Sequence, residues 1–215
     1  MHPIAVGMED YPEMLAVRKP AGERACFGTS WHTDNTFFER PSMASILYGV
    51  TIPPCGGDTL YASTEKAYEA LSPRMREILD GLTAVHSASR AYDPAVTGEA
   101  KYRGEAAILY RYSDAVHEEH EHPVIRTHPE TGRRGIFVNP MFTLRIVGLT
   151  EAEGAPLLDF LYRHTVRPEF TCRIRWEPGT LLLWDNRCTQ HYAIDDYAGH
   201  ERLMYRVSVS GDRPV

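Results

Sequence analysis

From Arg202 to Ser210 the chain alternates without a break. Arg202, Met204, Arg206, Ser208 and Ser210 fall on one side, and Leu203, Tyr205, Val207 and Val209 on the other. A period of two marks an extended strand, so this segment belongs to a sheet with two unlike faces. The alternation leaves open where the arginine face points. On the solvated side of an edge strand the guanidiniums need no partner. Inside a sandwich or barrel each needs an anion, because an unpaired buried charge costs several kcal/mol. Their Cα atoms would stand about 13 Å apart, far enough to hold the carboxylates of two different ligands. The planar fork of arginine suits a carboxylate or sulfonate better than an ammonium does.

The rest of the chain supplies further short strands. Segments 44–50, 134–138, 171–176 and 180–184 are rich in β-branched or aromatic residues and bounded by Gly or Pro. Glu177-Pro178-Gly179 predicts a turn, and with it a hairpin between the last two segments. Ser72-Pro73 reads as a helix start followed by Met75, Ile78, Leu79 and Leu82 at helical spacing. Thr150 and Glu153 form a capping-box pattern ahead of Leu157, Leu158 and Leu161. Between Ala88 and Arg111 the periodicity is weak, which predicts a partly helical excursion of the kind that covers a site. Short strands with inserted helices point to a mainly β fold, a β-sandwich or jelly roll. With 215 residues, 43% of them apolar, residues 1–215 suffice for one well-cored domain.

Several function classes drop out. The formal charge of −6 is spread over mixed acidic and basic residues, unlike the basic face that binds nucleic acid. There is no apolar run of bilayer length, and the first residues lack the pattern of a signal peptide, so a cytoplasmic protein without membrane association is expected. Cys26, Cys55, Cys172 and Cys188 show no C-x-x-C spacing, which predicts reduced thiols. Small molecules remain as partners.

Trp31-His32-Thr33-Asp34 and, far downstream, Gln190-His191-Tyr192 supply two imidazoles and a carboxylate. On a strand His32 and Asp34 share a face while Thr33 points away, so both can reach one metal, and His191 would complete a facial triad. In Pro54-Cys55-Gly56-Gly57-Asp58-Thr59-Leu60 the glycines predict a turn, and the Thr59 hydroxyl could donate to a bound carboxylate. The run His117-Glu118-Glu119-His120-Glu121-His122 reads as a solvated loop. His86, His128, His164 and His200 read as surface or hydrogen-bonded histidines. Asp185 and Asn186 read as turn residues and Trp184 as core, with a supporting role at the His191 ring as the alternative.

These motifs, together with His122-Pro123-Val124-Ile125-Arg126-Thr127-His128-Pro129, Phe137-Val138-Asn139, Trp184-Asp185-Asn186-Arg187 and the terminal Arg202/Arg206 strand ending in Gly211-Asp212, resemble the iron(II)- and 2-oxoglutarate-dependent dioxygenases of the taurine dioxygenase and phenoxyalkanoate-herbicide dioxygenase group. The resemblance implies a double-stranded β-helix, the jelly-roll form also called cupin-like. It implies His32, Asp34 and His191 as iron ligands, Thr59 and Arg202 as holders of the distal carboxylate of 2-oxoglutarate, and dioxygen as the second cosubstrate. It implies Arg206, Phe142 and His2 as contacts of a small anionic substrate, a sulfonate, sulfate ester or carboxylate. No side chain is assigned a catalytic acid or base role; the protein positions its ligands. A homodimer or homotetramer is implied as well.

Two departures bear on the substrate. Ala5 stands where the taurine enzyme has a tyrosine and Gly28 where it has an amide side chain, which predicts a bulkier or more apolar acid than taurine. The chain starts at the first substrate-contacting motif, so the expected domain lacks the segment that usually precedes it. Two other readings compete: a jelly-roll binding protein that retains the metal site without turnover, and a zinc hydrolase, which leaves Arg202 and Thr59 unexplained.

Overall fold

The computed structural model describes residues 5–22, 28–97 and 113–215. Strands β1 (Met14–Lys19), β12 (Arg202–Val209), β2 (Ala44–Thr51) and β10 (Leu181–Asp185) form an antiparallel sheet in that order. A second antiparallel sheet runs β11 (Thr189–Ala193), β3 (Thr59–Ser63), β9 (Thr171–Ile174). Smaller pieces are β5 (His120–Pro123), β4 (Thr83–His86) and β8 (Thr143–Ile146) in one sheet, and β6 (Ile125–Thr127) paired with β7 (Arg134–Ile136). The first two sheets lie face to face: the Trp184 ring of β10 is 5.5 Å from Tyr61 of β3 and 5.0 Å from His191 of β11. This is the expected jelly-roll architecture.

The turn Glu177-Pro178-Gly179 forms, with Thr180 N donating to Glu177 O at 3.0 Å and Gly179 at φ +86°. The hairpin expected across it does not. β9 pairs with β3, and β10 pairs with β2. The turn carries the chain from one sheet to the other, a connection a sandwich requires and a local turn signal cannot distinguish from a hairpin.

Helices cover one side. Ser72 Oγ accepts from Met75 N at 3.2 Å and starts α2 (Pro73–Leu79), which follows α1 (Thr64–Glu69). Glu153 Oε2 accepts from Thr150 N at 2.9 Å and sets the start of α5 (Glu151–Thr165). Leu158 and Leu161 on α5 pack with Ala67, Leu79, Ile136 and Ile146 in the main apolar cluster. Short α3 (Ser89–Tyr92) and α4 (Pro94–Thr97) occupy the described part of the excursion that begins at Ala88; its later residues lie outside the described ones. No helix among the described residues is long and apolar enough to cross a membrane.

The histidine run is not one solvated loop. His122 sits in β5 and is buried, because alternation along that strand turns it inward beside β4. Its ring meets that of buried His86 at 5.3 Å, edge to face. His122 Nε2 lies 2.9 Å from Phe38 O, and His86 Nδ1 lies 3.1 Å from Thr36 Oγ1. Burial holds both imidazoles neutral, His86 well below the usual range and His122 at about 4 instead of 6.5. A depressed folded value means that the unfolded chain takes up the proton first. The stability these rings confer is therefore complete above pH 6.5 and lost as pH falls from 6.5 toward 4, on the order of 3 kcal/mol for His122. The urea midpoint is expected to drop between pH 7.5 and 4.5, and less steeply in His122→Phe. Equal slopes in the two proteins would contradict this account.

Candidate active site

The two imidazoles are brought together by the backbone. His32 and His191 form an isolated antiparallel bridge in which His32 N donates to His191 O at 3.1 Å and His191 N to His32 O at 2.8 Å. Opposed residues of such a pair send their side chains to the same face. The rings accordingly stand 4.2 Å apart. Asp34, two residues on, shares that face, while Thr33 turns away and donates to Thr189 O at 2.8 Å. Asn35 follows at φ +57°, a left-handed conformation that asparagine tolerates better than most residues. It bends the chain sharply and leaves Asp34 at the end of its extended segment.

Asp34 uses its two oxygens differently. Oδ1 lies 3.6 Å from His32 Nε2 and 3.7 Å from His191 Nε2. Oδ2 accepts from Ser45 Oγ at 2.7 Å and pairs with Arg206 Nη2 at 2.8 Å. Ser45 is itself held: Asn186 Nδ2 donates to Ser45 Oγ at 3.0 Å, and Trp184 Nε1 donates to Asn186 Oδ1 at 2.9 Å. A chain of hydrogen bonds from β10 and the turn after it thus fixes the carboxylate. His32 is fixed by its Nδ1, 2.7 Å from Ser30 O, which assigns the proton to Nδ1 and turns the Nε2 lone pair to the site.

The chemistry of this donor set fits a divalent cation. Burial of His191, beside His32, lowers it to about 3, and burial likewise lowers His32, so both rings are neutral. Burial alone would raise Asp34, but the Arg206 guanidinium above all, together with the Ser45 hydrogen bond, draws it below the usual carboxylate range and keeps it ionised. The three ligand atoms lie within 4.8 Å of one another. An ion with bonds of about 2.1 Å can join atoms up to about 4.2 Å apart, which covers both imidazole-to-carboxylate distances.

A cavity opens beside the triad between the two sheets. Val17, Leu47, Trp184, Arg202 and Arg206 line it from the first sheet, and Thr59, Tyr61, His191 and Ala193 from the second, with Gly28 and His32. The arginine face of β12 therefore points inward. Thr59 is buried and its Oγ1 accepts from Trp176 Nε1 at 2.9 Å, so its own hydrogen is left to donate elsewhere. The Arg202 guanidinium lies 5.9 Å from each of the Trp176 and Tyr197 rings. Gly57 makes room for this arrangement: at φ +72°, a Cβ there would come within 3.2 Å of Tyr197 Cδ1 and 3.5 Å of Arg202 Cδ.

Thus His32, Asp34, His191, Thr59, Arg202 and Arg206 meet in one place. Phe142 is buried behind His32, 6.1 Å ring to ring, and packs on Phe37 at 4.9 Å. His2 lies outside the described residues. Asn186 acts on Asp34 through Ser45 rather than on the His191 ring. His128 is hydrogen-bonded, 3.2 Å from Asp185 Oδ2, and its cluster with Asp185 and Cys188 is already occupied by Arg187, whose Nη2 pairs with Asp185 Oδ2 at 2.7 Å.

Sequence reasoning missed Ser45, Tyr61 and Lys19. Ser45 was visible as a polar residue in register with Leu47 on β2 and Lys19 as one in register with Leu15 and Val17 on β1, whereas Tyr61 shares its face of β3 with Thr59 and Ser63 and gave no such signal. Ser45→Ala is expected to weaken iron(II) binding about 10- to 100-fold, measured by competition with a chelator. Unchanged affinity would remove Ser45 from the site.

Residues 1–208 match the family model described as taurine catabolism dioxygenase TauD, TfdA family. The chain is 41% identical to an alpha-ketoglutarate-dependent sulfate ester dioxygenase of Pseudomonas putida, over 100% of this chain and 69% of that protein. It is 36% identical to an alkylsulfatase of Acinetobacter baylyi, over 98% of this chain and 65% of that protein. A crystal structure of a taurine dioxygenase from Burkholderia xenovorans superposes with a TM-score of 0.78 at 40% identity, over 97% of this chain and 68% of that one. The chain thus spans about two thirds of the length of these relatives. By the family match and by these identities, it belongs to the TauD/TfdA family of 2-oxoglutarate-dependent dioxygenases.

Proposed function

We propose that this chain takes iron(II), 2-oxoglutarate and dioxygen and hydroxylates a small organic anion, a sulfate ester or sulfonate of more apolar character than taurine. The observation that carries the reading is a donor set of two neutral imidazoles and an ionised carboxylate, His32, His191 and Asp34, at a cavity lined also by Arg202, Arg206 and Thr59. A hydrolase needs the donor set alone; the inward cations call for carboxylate or sulfonate ligands.

Bound iron(II) would supply activation of dioxygen, coupling decarboxylation of 2-oxoglutarate to succinate and carbon dioxide with insertion of one oxygen atom into a substrate C–H bond. His32 Nε2, His191 Nε2 and Asp34 Oδ1 would hold the ion, leaving one face of its coordination sphere for ligands. Arg202 and Thr59 would take the distal carboxylate of 2-oxoglutarate. Arg206 is placed to serve twice, steadying Asp34 Oδ2 with one amino group and presenting the remaining donors to an anion. Positioning of the C–H bond is the work left to the protein. Where the hydroxylated carbon bears a sulfate oxygen, the product loses sulfate and leaves an aldehyde.

Support for the substrate class comes from the relative acting on sulfate esters and from Gly28. Its missing side chain leaves the cavity wall open beside His32, where a Cβ would stand 3.6 Å from Cε1. Three cysteines, Cys55, Cys172 and Cys188, are free, in keeping with the cytoplasmic location we assign. The test is succinate release from 2-oxoglutarate with iron(II) and oxygen across alkyl sulfates, alkyl sulfonates and carboxylates. Turnover greatest with alkyl sulfates bears the proposal out. Binding of iron and 2-oxoglutarate with no succinate formed on any of them would favour a binding protein instead.

A further inference from the structure

Lys19 ends β1 on the inward side of the sheet. Its cross-strand partner is Arg202, so the two side chains project from the same face, their Cβ atoms about 4.5–5.5 Å apart. Only 2% of Lys19 is exposed. Its Nζ has no hydrogen-bond partner among the described residues and stands 4.6 Å from the centre of the Tyr197 ring, the ring that also carries the Arg202 guanidinium at 5.9 Å. A π face offsets only part of the cost of taking an ammonium out of water, and a second cation alongside adds to that cost.

Three described acids nearby in sequence and register are engaged elsewhere. Glu201 pairs with Arg18 at 3.0 Å on the outer face. Asp58 pairs with Arg173 at 2.6 Å, and Asp196 Oδ1 accepts from Gly57 N at 2.7 Å. An interior lysine kept beside the cavity's arginine, with no anion of its own among the described residues, calls for an anion that arrives with a ligand.

We infer that Lys19 is a second cation for the distal carboxylate of the 2-oxo acid cosubstrate, acting with Arg202 and the Thr59 hydroxyl, and that it makes the site selective for dicarboxylic 2-oxo acids. The inference rests on the proposed function of the same site. With the ligand bound, two cations and one hydroxyl would share two carboxylate oxygens, and Tyr197 would serve as the shelf on which both cations are aligned.

The test compares 2-oxoglutarate with 2-oxopentanoate, which has the same five-carbon chain and a methyl in place of the distal carboxylate. Binding to the iron(II) protein is measured by anaerobic calorimetry, and melting of the ligand-free protein is recorded alongside. Lys19→Met is expected to weaken 2-oxoglutarate at least tenfold, to leave 2-oxopentanoate within twofold, and to melt no lower than the parent, since it removes an unpaired buried charge. Lys19→Arg should retain most of the 2-oxoglutarate affinity. Should Lys19→Met bind 2-oxoglutarate within twofold of the parent, or lose both acids equally, the inference falls while the function stands. Should the parent itself not bind 2-oxoglutarate, both fall together.

Discussion

Replacing Asp34 with alanine is expected to abolish iron(II) retention and to lower succinate formation by more than a thousandfold. Among the described residues Asp34 provides the one anionic atom facing both imidazoles, with Oδ1 at 3.6 and 3.7 Å from the two Nε2 atoms. Without it the donor set is two neutral rings beside the cationic Arg206, and a dication entering the site meets only positive charge. The loss extends to the fold. Arg206 Nη2 and Ser45 Oγ both give their hydrogen bonds to Oδ2, and removing one partner of a buried ion pair costs about 3–5 kcal/mol. Asp34→Asn separates the two effects: it keeps a polar group of the same shape and much of the stability, but not the charge. Metal content after gel filtration and the melting temperature are the readouts. A variant that keeps its iron would overturn the ligand assignment.

Arg202→Ala carries the second large effect. Where Arg202 grips the distal carboxylate through two charge-assisted hydrogen bonds, its removal should weaken 2-oxoglutarate about a hundredfold, read as the dissociation constant in anaerobic calorimetry, with iron binding unchanged. Arg206→Ala should behave differently. It lies against Asp34, so its loss should weaken both the primary substrate and iron retention while 2-oxoglutarate affinity changes less. Identical profiles for the two variants would show that the inward face of β12 does not divide its arginines between two ligands.

Much of this was legible because it rests on short-range rules. The period of two fixed which residues of β12 share a face, the spacing of His32 and Asp34 fixed their common direction, and the capping patterns at Ser72 and Thr150 located α2 and α5. What could not be read locally was pairing. Nothing around Glu177-Pro178-Gly179 distinguishes a hairpin from a passage between sheets, and nothing in the polar run around His122 announces that β5 turns that ring into the interior beside His86. The same holds at the site. Ser45 meets Asp34 only because β2 lies next to β12 and β10, and Lys19 meets Arg202 only through the register of β1 with β12. An inward polar residue on an apolar strand is the signal by which both could have been singled out, but its partner is a property of the assembled sheet.

Whether His32, Asp34 and His191 hold iron(II), and whether Arg202 and Thr59 bring 2-oxoglutarate to it, is decided by one anaerobic titration. The iron(II)-loaded protein is titrated with 2-oxoglutarate and followed by visible absorption, since chelation of the metal by a 2-oxo acid produces a charge-transfer band. The band is expected to saturate at one equivalent in the parent protein, to be absent in Asp34→Ala, and to require far more 2-oxoglutarate in Arg202→Ala. A parent protein that binds iron(II) yet develops no band, or an Asp34→Ala variant that develops the same one, would contradict this assignment.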